Sequence, residues 1–367
     1  MKIALVVPGG VDRSGSERVI PCLLWLIERL VRSGDEVHVF ALGQEPRPGR
    51  WQLLGAEVRN AGARPRRLRT LAGLLAEHRR GRFGIVHAFW AGAPGVAAAA
   101  FARLTHVPLI VSLPGGDLIA LPEIDYGLQL TRRGRFWTCF TLSTAAQITV
   151  RSEWMRAEAA VIGVEATCIP IGVALDRWPL RPPQRRGAGQ QLRLLHVANL
   201  NRVKDQETLL QAMVRLRERG VAFRLDMIGL DTLGGAVQRR CTALGLDDHV
   251  VFHGFMPHAE MRPWFEQADL LVMSSRHETG PVTAIEAGVV GVPTVGTAVG
   301  LIADWAPDAA ISVLVGDGAG LGTAIEQLAE DEDARMLLAY GAQEAARHQD
   351  ADLTTMQFRR LYAELAA

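Results

Sequence analysis

Residues 271–297, LVMSSRHETGPVTAIEAGVVGVPTVGT, decide how the chain folds. The apolar run 270–273 has the character of a buried parallel strand. A polar loop, 274–280, follows, and then Pro281, whose fixed φ and missing N–H suit a first helical position. A helix is predicted over 282–289 with Gly291 as its stop, and Pro293-Thr294-Val295 restarts a strand. The order is strand, loop, helix, strand, with the loop at a strand's carboxyl end, where open α/β sheets hold their ligands. First-turn N–H groups behind Thr279-Gly280 offer a place for an anion or for sugar hydroxyls. Glu278 and Glu286 flank that helix start. Glu278 alone reads equally as a helix-dipole carboxylate. Glu286, set between Thr-Ala-Ile and Ala-Gly, has poor surroundings for a solvated charge.

Working outward, apolar strands alternate with helical patterns, which argues for parallel sheets. Strands are expected at 3–7, 36–42, around Val58, 85–89, 109–112, 147–152 and 167–170. Ser14-x-x-Glu17 has the form of a capping box for a helix running to about Ser33, with Pro21 shifting its start or kinking it. Residues 177–191, RWPLRPPQRRGAGQQ, are rich in Pro, Gly and Arg without periodicity and read as a linker. A second series of strands starts at 192–197 and continues at 224–228, 250–252 and 270–273. The domains expected are 1–177, a linker 178–191, 192–350, and a closing helix within 351–367. Two doubly wound halves of this kind make a cleft between them.

The acids at x7 spacing, with Gly280-Pro281 between them and Ala287, Gly291 and Pro293 after, resemble the signature of retaining glycosyltransferases of the GT-B fold, family 4 type. The bare acid pair is weak, whereas the whole string is specific. The resemblance extends over nearly the whole chain and is densest in residues 195–297. It implies an α/β GT-B fold, with two Rossmann-like domains facing an interdomain cleft. It also implies a hexosyl-type transferase that moves sugar from a nucleotide-diphosphate donor with retention of configuration. The first domain would bind the acceptor, the second the nucleotide sugar, and the closing helix would pack back on the first domain.

The resemblance then distributes roles. Lys204 matches the family's diphosphate lysine. Asn199 stands where its arginine is usual, so Arg202 supplies that charge from another position. On their own chemistry, two cations after a strand suit a diphosphate and a solvated loop equally. Glu278 would lie by the sugar ring, with the backbone of Thr279, Gly280, Pro281 and Val282 reading its hydroxyls. Glu286 would accept from the ribose diol, which suits a carboxylate's paired acceptor oxygens. Gly229, Gly254, Phe255 and Met256 would border the nucleoside. In the first half, Gly15-Ser16-Glu17 matches a Gly-Gly-x-Glu loop, with Ser16 for the second glycine. Residues 112–117, SLPGGD, match a motif that usually carries histidine where Pro114 stands, and leave Asp117 as an acceptor candidate. His87, ending a strand, is a second acceptor candidate, although a lone histidine at a strand end is more often structural.

Composition bounds the rest. The chain has 367 residues, 49% hydrophobic and 22% charged, which suits a globular protein with two cores and excludes a disordered one. Cys22, Cys139, Cys168 and Cys241 are scattered, as in a reducing compartment, and show no metal-ligand spacing. MKIALVVPGG reads as a first strand rather than a leader, and no apolar run reaches spanning length. A cytoplasmic protein is expected, with no metal and no cofactor beyond a UDP- or GDP-sugar substrate. The acceptor stays open among glycan, lipid and small metabolite. The first half is basic and the second acidic. The run Arg64-Pro65-Arg66-Arg67-Leu68-Arg69 reads equally as a solvated helix face or as a surface for anionic acceptors or the inner membrane face. Nucleic acid is not expected, because the run lacks interleaved aromatics. Two rivals stand beside the transferase: a nucleotide-sugar or glycan-binding protein without activity, and a nucleotide-sugar epimerase.

Overall fold

The computed structural model describes residues 1–187 and 189–366. Ala188, inside the expected linker, and Ala367, at the end of the expected closing helix, lie outside the described residues. The chain forms two units, Met1–Ile171 with the closing helix and Gly172–Asp350.

In the first unit β1 (Lys2–Val7) leads to α1 (Pro21–Arg32) and β2 (Glu36–Ala41). Then come β3 (Gly49–Leu53), β4 (Ala56–Asn60), α2 (Arg66–Arg80), β5 (Ile85–Phe89), α3 (Ala93–Thr105) and β6 (Leu109–Ser112). The run closes with α4 (Arg132–Leu142), β7 (Gln147–Val150), α5 (Glu153–Val161) and β8 (Thr167–Cys168). The sheet order is β3-β4-β2-β1-β5-β6-β7-β8, parallel except for β3, which pairs antiparallel with β4. β1 lies inside it with both faces covered: Ile3, Leu5 and Val7 enter one apolar cluster, while Ala4 and Val6 enter another. That is why its sequence is continuously apolar rather than alternating. Each of the larger ones, Ile3, Leu5, Val6 and Val7, contributes roughly 1.5–3 kcal/mol of transfer free energy.

The second unit repeats the plan: β9 (Leu192–Val197), α6 (Gln206–Glu218), β10 (Phe223–Ile228), α7 (Ala236–Ala243), β11 (Val250–Gly254), α8 (His258–Gln267) and β12 (Leu270–Met273). Then follow α9 (Val282–Val289), β13 (Thr294–Thr297), α10 (Leu301–Trp305), β14 (Ala310–Val313), α11 (Gly318–Glu330) and α12 (Glu332–Arg347). Its parallel sheet has the order β11-β10-β9-β12-β13-β14. The strand order reverses beside β9, which places the loops after β9 and β12 at the topological switch point. The last helix, α13 (Ala351–Ala366), belongs to the first unit and lies against α1.

The first helix starts at Pro21, which is the shifted start this proline was expected to cause, and Ser14 Oγ accepts from the Glu17 N–H in a turn before it. Elsewhere the structure departs from expectation. The unit boundary falls at 171/172, and the Pro/Arg-rich segment is fastened to the second unit rather than free. The Arg181 N–H donates to the Val289 carbonyl at 3.0 Å, and the Arg186 N–H to Glu332 at 2.8 Å. Strand β3 was not foreseen at all.

Candidate functional site

The carboxyl ends of β9, β10 and β11 are laced together. The Leu200 N–H donates to the Leu230 carbonyl at 2.9 Å, and the Gly229 N–H to the Gly254 carbonyl at 2.8 Å. Asn199 Oδ1 accepts from the Leu230 N–H at 3.1 Å. Gly229 has φ 153°, and a Cβ there would sit 2.0 Å from the Ala198 carbonyl oxygen, so only glycine lets the two strand ends approach this closely. Asn199, Gly229 and Gly254 are thereby brought together. Phe255 beside them is 54% exposed, and Met256 is half-buried.

The loop after β9 is welded to the loop after β12. Residues Arg202–Lys204 form a single 3₁₀ turn capped by Asn201, whose Oδ1 accepts from the Lys204 N–H at 3.1 Å. The Ser274 hydroxyl donates to the Lys204 carbonyl at 2.9 Å, and the Arg276 N–H donates to the Val203 carbonyl at 2.8 Å. The Arg276 guanidinium pairs with Asp205 at 3.1 Å. So fixed, the Lys204 ammonium forms an ion pair with Glu278. The Ser275 hydroxyl donates to the same Glu278 oxygen at 2.7 Å, and the Thr297 hydroxyl anchors the Ser275 carbonyl at 2.6 Å. An ammonium has three N–H donors, so a lysine bonded to one carboxylate can still serve phosphate oxygens. Arg202 is exposed and enters no ion pair among the described residues; it is not drawn to Glu278.

Glu286 lies in the second turn of α9 and is 2% exposed. Its Oε1 is 2.6 Å from His258 Nε2, and its carbonyl accepts from the Trp178 indole at 3.1 Å. The Trp178 and His258 rings are 5.1 Å apart. Thr279, Gly280 and Pro281 are buried and Val282 half-buried; Pro281 stands just before the helix rather than at its first position. Behind the loops, burial pushes His196 down to about 4, and its Nδ1 lies 2.9 Å from the Val272 carbonyl. Sequence reasoning missed His258, Trp178, Ser275 and Arg276 as parts of this arrangement. Only the serine and arginine carried a signal, being inside the motif loop.

The first-unit candidates are placed differently. Gly15 has φ 67°, and Ser16 is exposed, its N–H donating to Ser14 Oγ at 3.3 Å. His87 is fully buried: Nδ1 lies 2.7 Å from the Tyr362 hydroxyl and Nε2 2.7 Å from Ser112 Oγ, with Phe89 stacked on its ring. Burial pushes its pKa down to about 3. Asp117 is 1% exposed, and its Oδ1 accepts from the Ala91 N–H at 2.8 Å. Burial pushes this carboxyl up to about 7, against the pull of that N–H. This geometry lends the acceptor reading of neither residue support. His87 is a core group with both nitrogens engaged, and Asp117 braces the turn after β5; neither presents its side chain at the surface.

Among the described residues, one group has metal-ligand geometry: Glu36, His38 and Glu77. It is an ion network, not a metal centre. Burial raises Glu77, but Lys2 and Arg59 outweigh it and hold the carboxyl at about 2.

Comparison with known proteins agrees with this geometry. Residues 181–345 match the family model described as glycosyl transferases group 1, and residues 19–172 match a glycosyl transferase 4-like domain. A D-inositol 3-phosphate glycosyltransferase of Arthrobacter sp. is 27% identical, over 80% of this chain and 76% of its own. One from Paenarthrobacter aurescens is 25% identical, over 98% and 96%. Among solved structures, sucrose-phosphate synthase from Thermosynechococcus elongatus superposes with TM-score 0.84 at 19% identity, covering 100% of this chain and 99% of that one. Anabaena HepE in complex with UDP gives 0.75 at 17% identity, covering 99% and 100%. These likenesses establish the GT-B fold of two parallel-sheet α/β domains. With one family model on each unit, the chain belongs to the group 1 glycosyltransferases and is a transferase.

Proposed function

We propose that the chain moves a sugar from a nucleoside-diphosphate sugar, with retention of configuration and without a metal, to a glycan, lipid or small-metabolite acceptor. The observation that carries this is the fixed pair Lys204–Glu278 at the switch point of the second sheet, directly before α9. The ammonium and the first-turn N–H groups of α9 would meet the diphosphate as its charge develops during departure. Arg202, exposed and paired with no acid among the described residues, would reach the same phosphates from solvent. Glu286, steadied by His258, would take the ribose hydroxyls, and the strand-end backbone at Gly229 and Gly254 would border the nucleoside. Glu278 would lie at the sugar. The acceptor hydroxyl would attack the anomeric carbon on the face the diphosphate leaves, passing its proton to a departing phosphate oxygen. HepE's complexes with UDP and UDP-glucose support a UDP-sugar as the first donor to try. The spread of cysteines, with no disulfide among the described residues, supports a reducing, cytoplasmic setting.

The rival with an observation behind it is the non-catalytic binder, since Ser16 and Pro114 replace residues usual in the family. One experiment separates them. The chain is incubated with UDP- and GDP-sugars and a panel of acceptors, with and without EDTA, and products are followed by NMR. Retained anomeric configuration that is insensitive to EDTA is expected. An inverted product, or EDTA-dependent turnover, contradicts the mechanism. Tight nucleotide binding with neither transfer nor donor hydrolysis assigns the chain to the binder.

A further inference from the structure

Two stretches without any Asp or Glu, residues 58–76 and 126–152, meet on one face of the first unit. The first carries Arg64, Arg66, Arg67 and Arg69 around the start of α2; the second carries Arg132, Arg133 and Arg135 in the first turn of α4. The Arg67 guanidinium lies over the Trp137 ring, 5.5 Å from its centroid, which joins the two helices directly. Its pKa is pushed down by burial and by Arg133 and Arg66 close by. Arg64, Arg66, Arg67, Arg132 and Arg133 enter no ion pair among the described residues. The next acid along α2, Glu77, is already held by Lys2, Arg59 and Arg80. Among these cations two large apolar side chains face water: Leu68, 67% exposed, and Phe136, 63% exposed, its ring edge-on to Trp137 at 5.1 Å.

Unneutralised cations crowded together repel, and exposed aromatic surface is left hydrated, so both features are unfavourable in isolation. One environment relieves both at once: a bilayer surface, which supplies anionic phosphates to the guanidiniums and an interfacial layer for Phe136 and Leu68. A soluble polyanion relieves only the charge. Among the described residues no helix is long and apolar enough to cross a membrane, so contact would be with the surface. We infer that the face built from the starts of α2 and α4 is a docking surface for an anionic lipid bilayer. The inference stands apart from the transferase reading, because it uses none of the second unit's residues.

The test is flotation of the full chain with vesicles of phosphatidylcholine alone and of phosphatidylcholine mixed with phosphatidylglycerol. Binding to the mixed vesicles only is expected. It should be lost when salt rises from about 0.1 M to about 1 M, which shortens the screening length from roughly 10 Å to roughly 3 Å. The double variant Arg132→Glu/Arg133→Glu should lower partitioning at least about tenfold, at about a kilocalorie per arginine. Phe136→Ser should lower it several-fold and keep the salt dependence. Arg360→Glu, on an exposed residue of α13, should change nothing; matching melting temperatures show that each variant is folded. No binding to the mixed vesicles, or binding that survives the double substitution, overturns the inference. So does capture by an acidic polysaccharide or RNA, unaffected by Phe136→Ser, with vesicles ignored; that result assigns the face to a soluble polyanion.

Discussion

After β6 the chain places Asp117, and after β12 it places Glu278; each acid follows the carboxyl end of a parallel strand. Their surroundings differ. Asp117 is sealed from water, holds the Ala91 N–H and is pushed up to about 7, while His87 on β5 of the same unit is pushed down to about 3. Both tend to neutrality because burial penalises charge. Glu278 instead sits in a polar cradle of Lys204 and Ser275, and Glu286 has His258. Here each carboxyl meets a basic side chain, whereas Asp117 meets a backbone N–H. A site that is to hold a diphosphate needs the second arrangement, since neutral groups cannot offset its charge. Of the two arrangements, the one in the second unit is the one the proposed donor site requires.

The strongest way to break this contrast is Lys204→Ala. Loss of the cation should cut sugar transfer by about 10²-fold or more, and a steady-state assay checks it. Activity within a few-fold of the parent would remove the lysine from the reaction.

Asp117→Asn sharpens the other side. The folded carboxyl, at about 7, lies above its ordinary value of 3.8. Between those values the native state binds more protons than the unfolded one, so this group's contribution to stability falls as pH rises from about 4 to about 7. Asparagine removes that term while keeping an oxygen for the Ala91 N–H. The variant's unfolding free energy should therefore gain on the parent's as pH rises through this window, by up to about 1.4 kcal/mol per pH unit. Parallel profiles would mean that the carboxyl is charged in the fold. His87 works in the opposite sense: with its folded pKa depressed to about 3, its contribution is present above about 6.5 and lost as pH falls toward 3.

The smallest effect belongs to Tyr362→Phe, which takes the hydroxyl from His87 Nδ1. It should cost about 1 kcal/mol of stability in a denaturation curve and leave nucleotide affinity unchanged. A shift in that affinity would reopen a ligand role for His87.

What the sequence could and could not disclose follows from the range of the interactions. The string 278–293 was legible because its strand, turn and helix signals are local, and helix Val282–Val289 forms as read. Lys204 was singled out by its match to the family's lysine, since its place after a strand fits a solvated loop equally well. His258 was not, because its partner Glu286 lies 28 positions away and only folding joins them. The sequence left His87 between a structural and an acceptor role for the same reason: the hydroxyl bonded to it is 275 residues away, on a helix that follows the entire second unit. Strand β3 escaped because its hairpin turns through Leu54, φ 52°, and Gly55, φ 83°, a pair without the usual Asn-Gly or Asp-Gly signal. The Pro/Arg-rich segment looked like a linker because its bonds, such as that of Arg186 to Glu332, are made to a distant helix.

The most direct measurement is calorimetric titration of UDP and GDP into the parent chain and Lys204→Ala, with Tyr362→Phe as the folded control. Binding of one nucleotide to the parent and the control, weakened at least about tenfold by Lys204→Ala, is the expected result. Equal affinity in all three proteins would contradict a diphosphate site at the switch point of the second sheet.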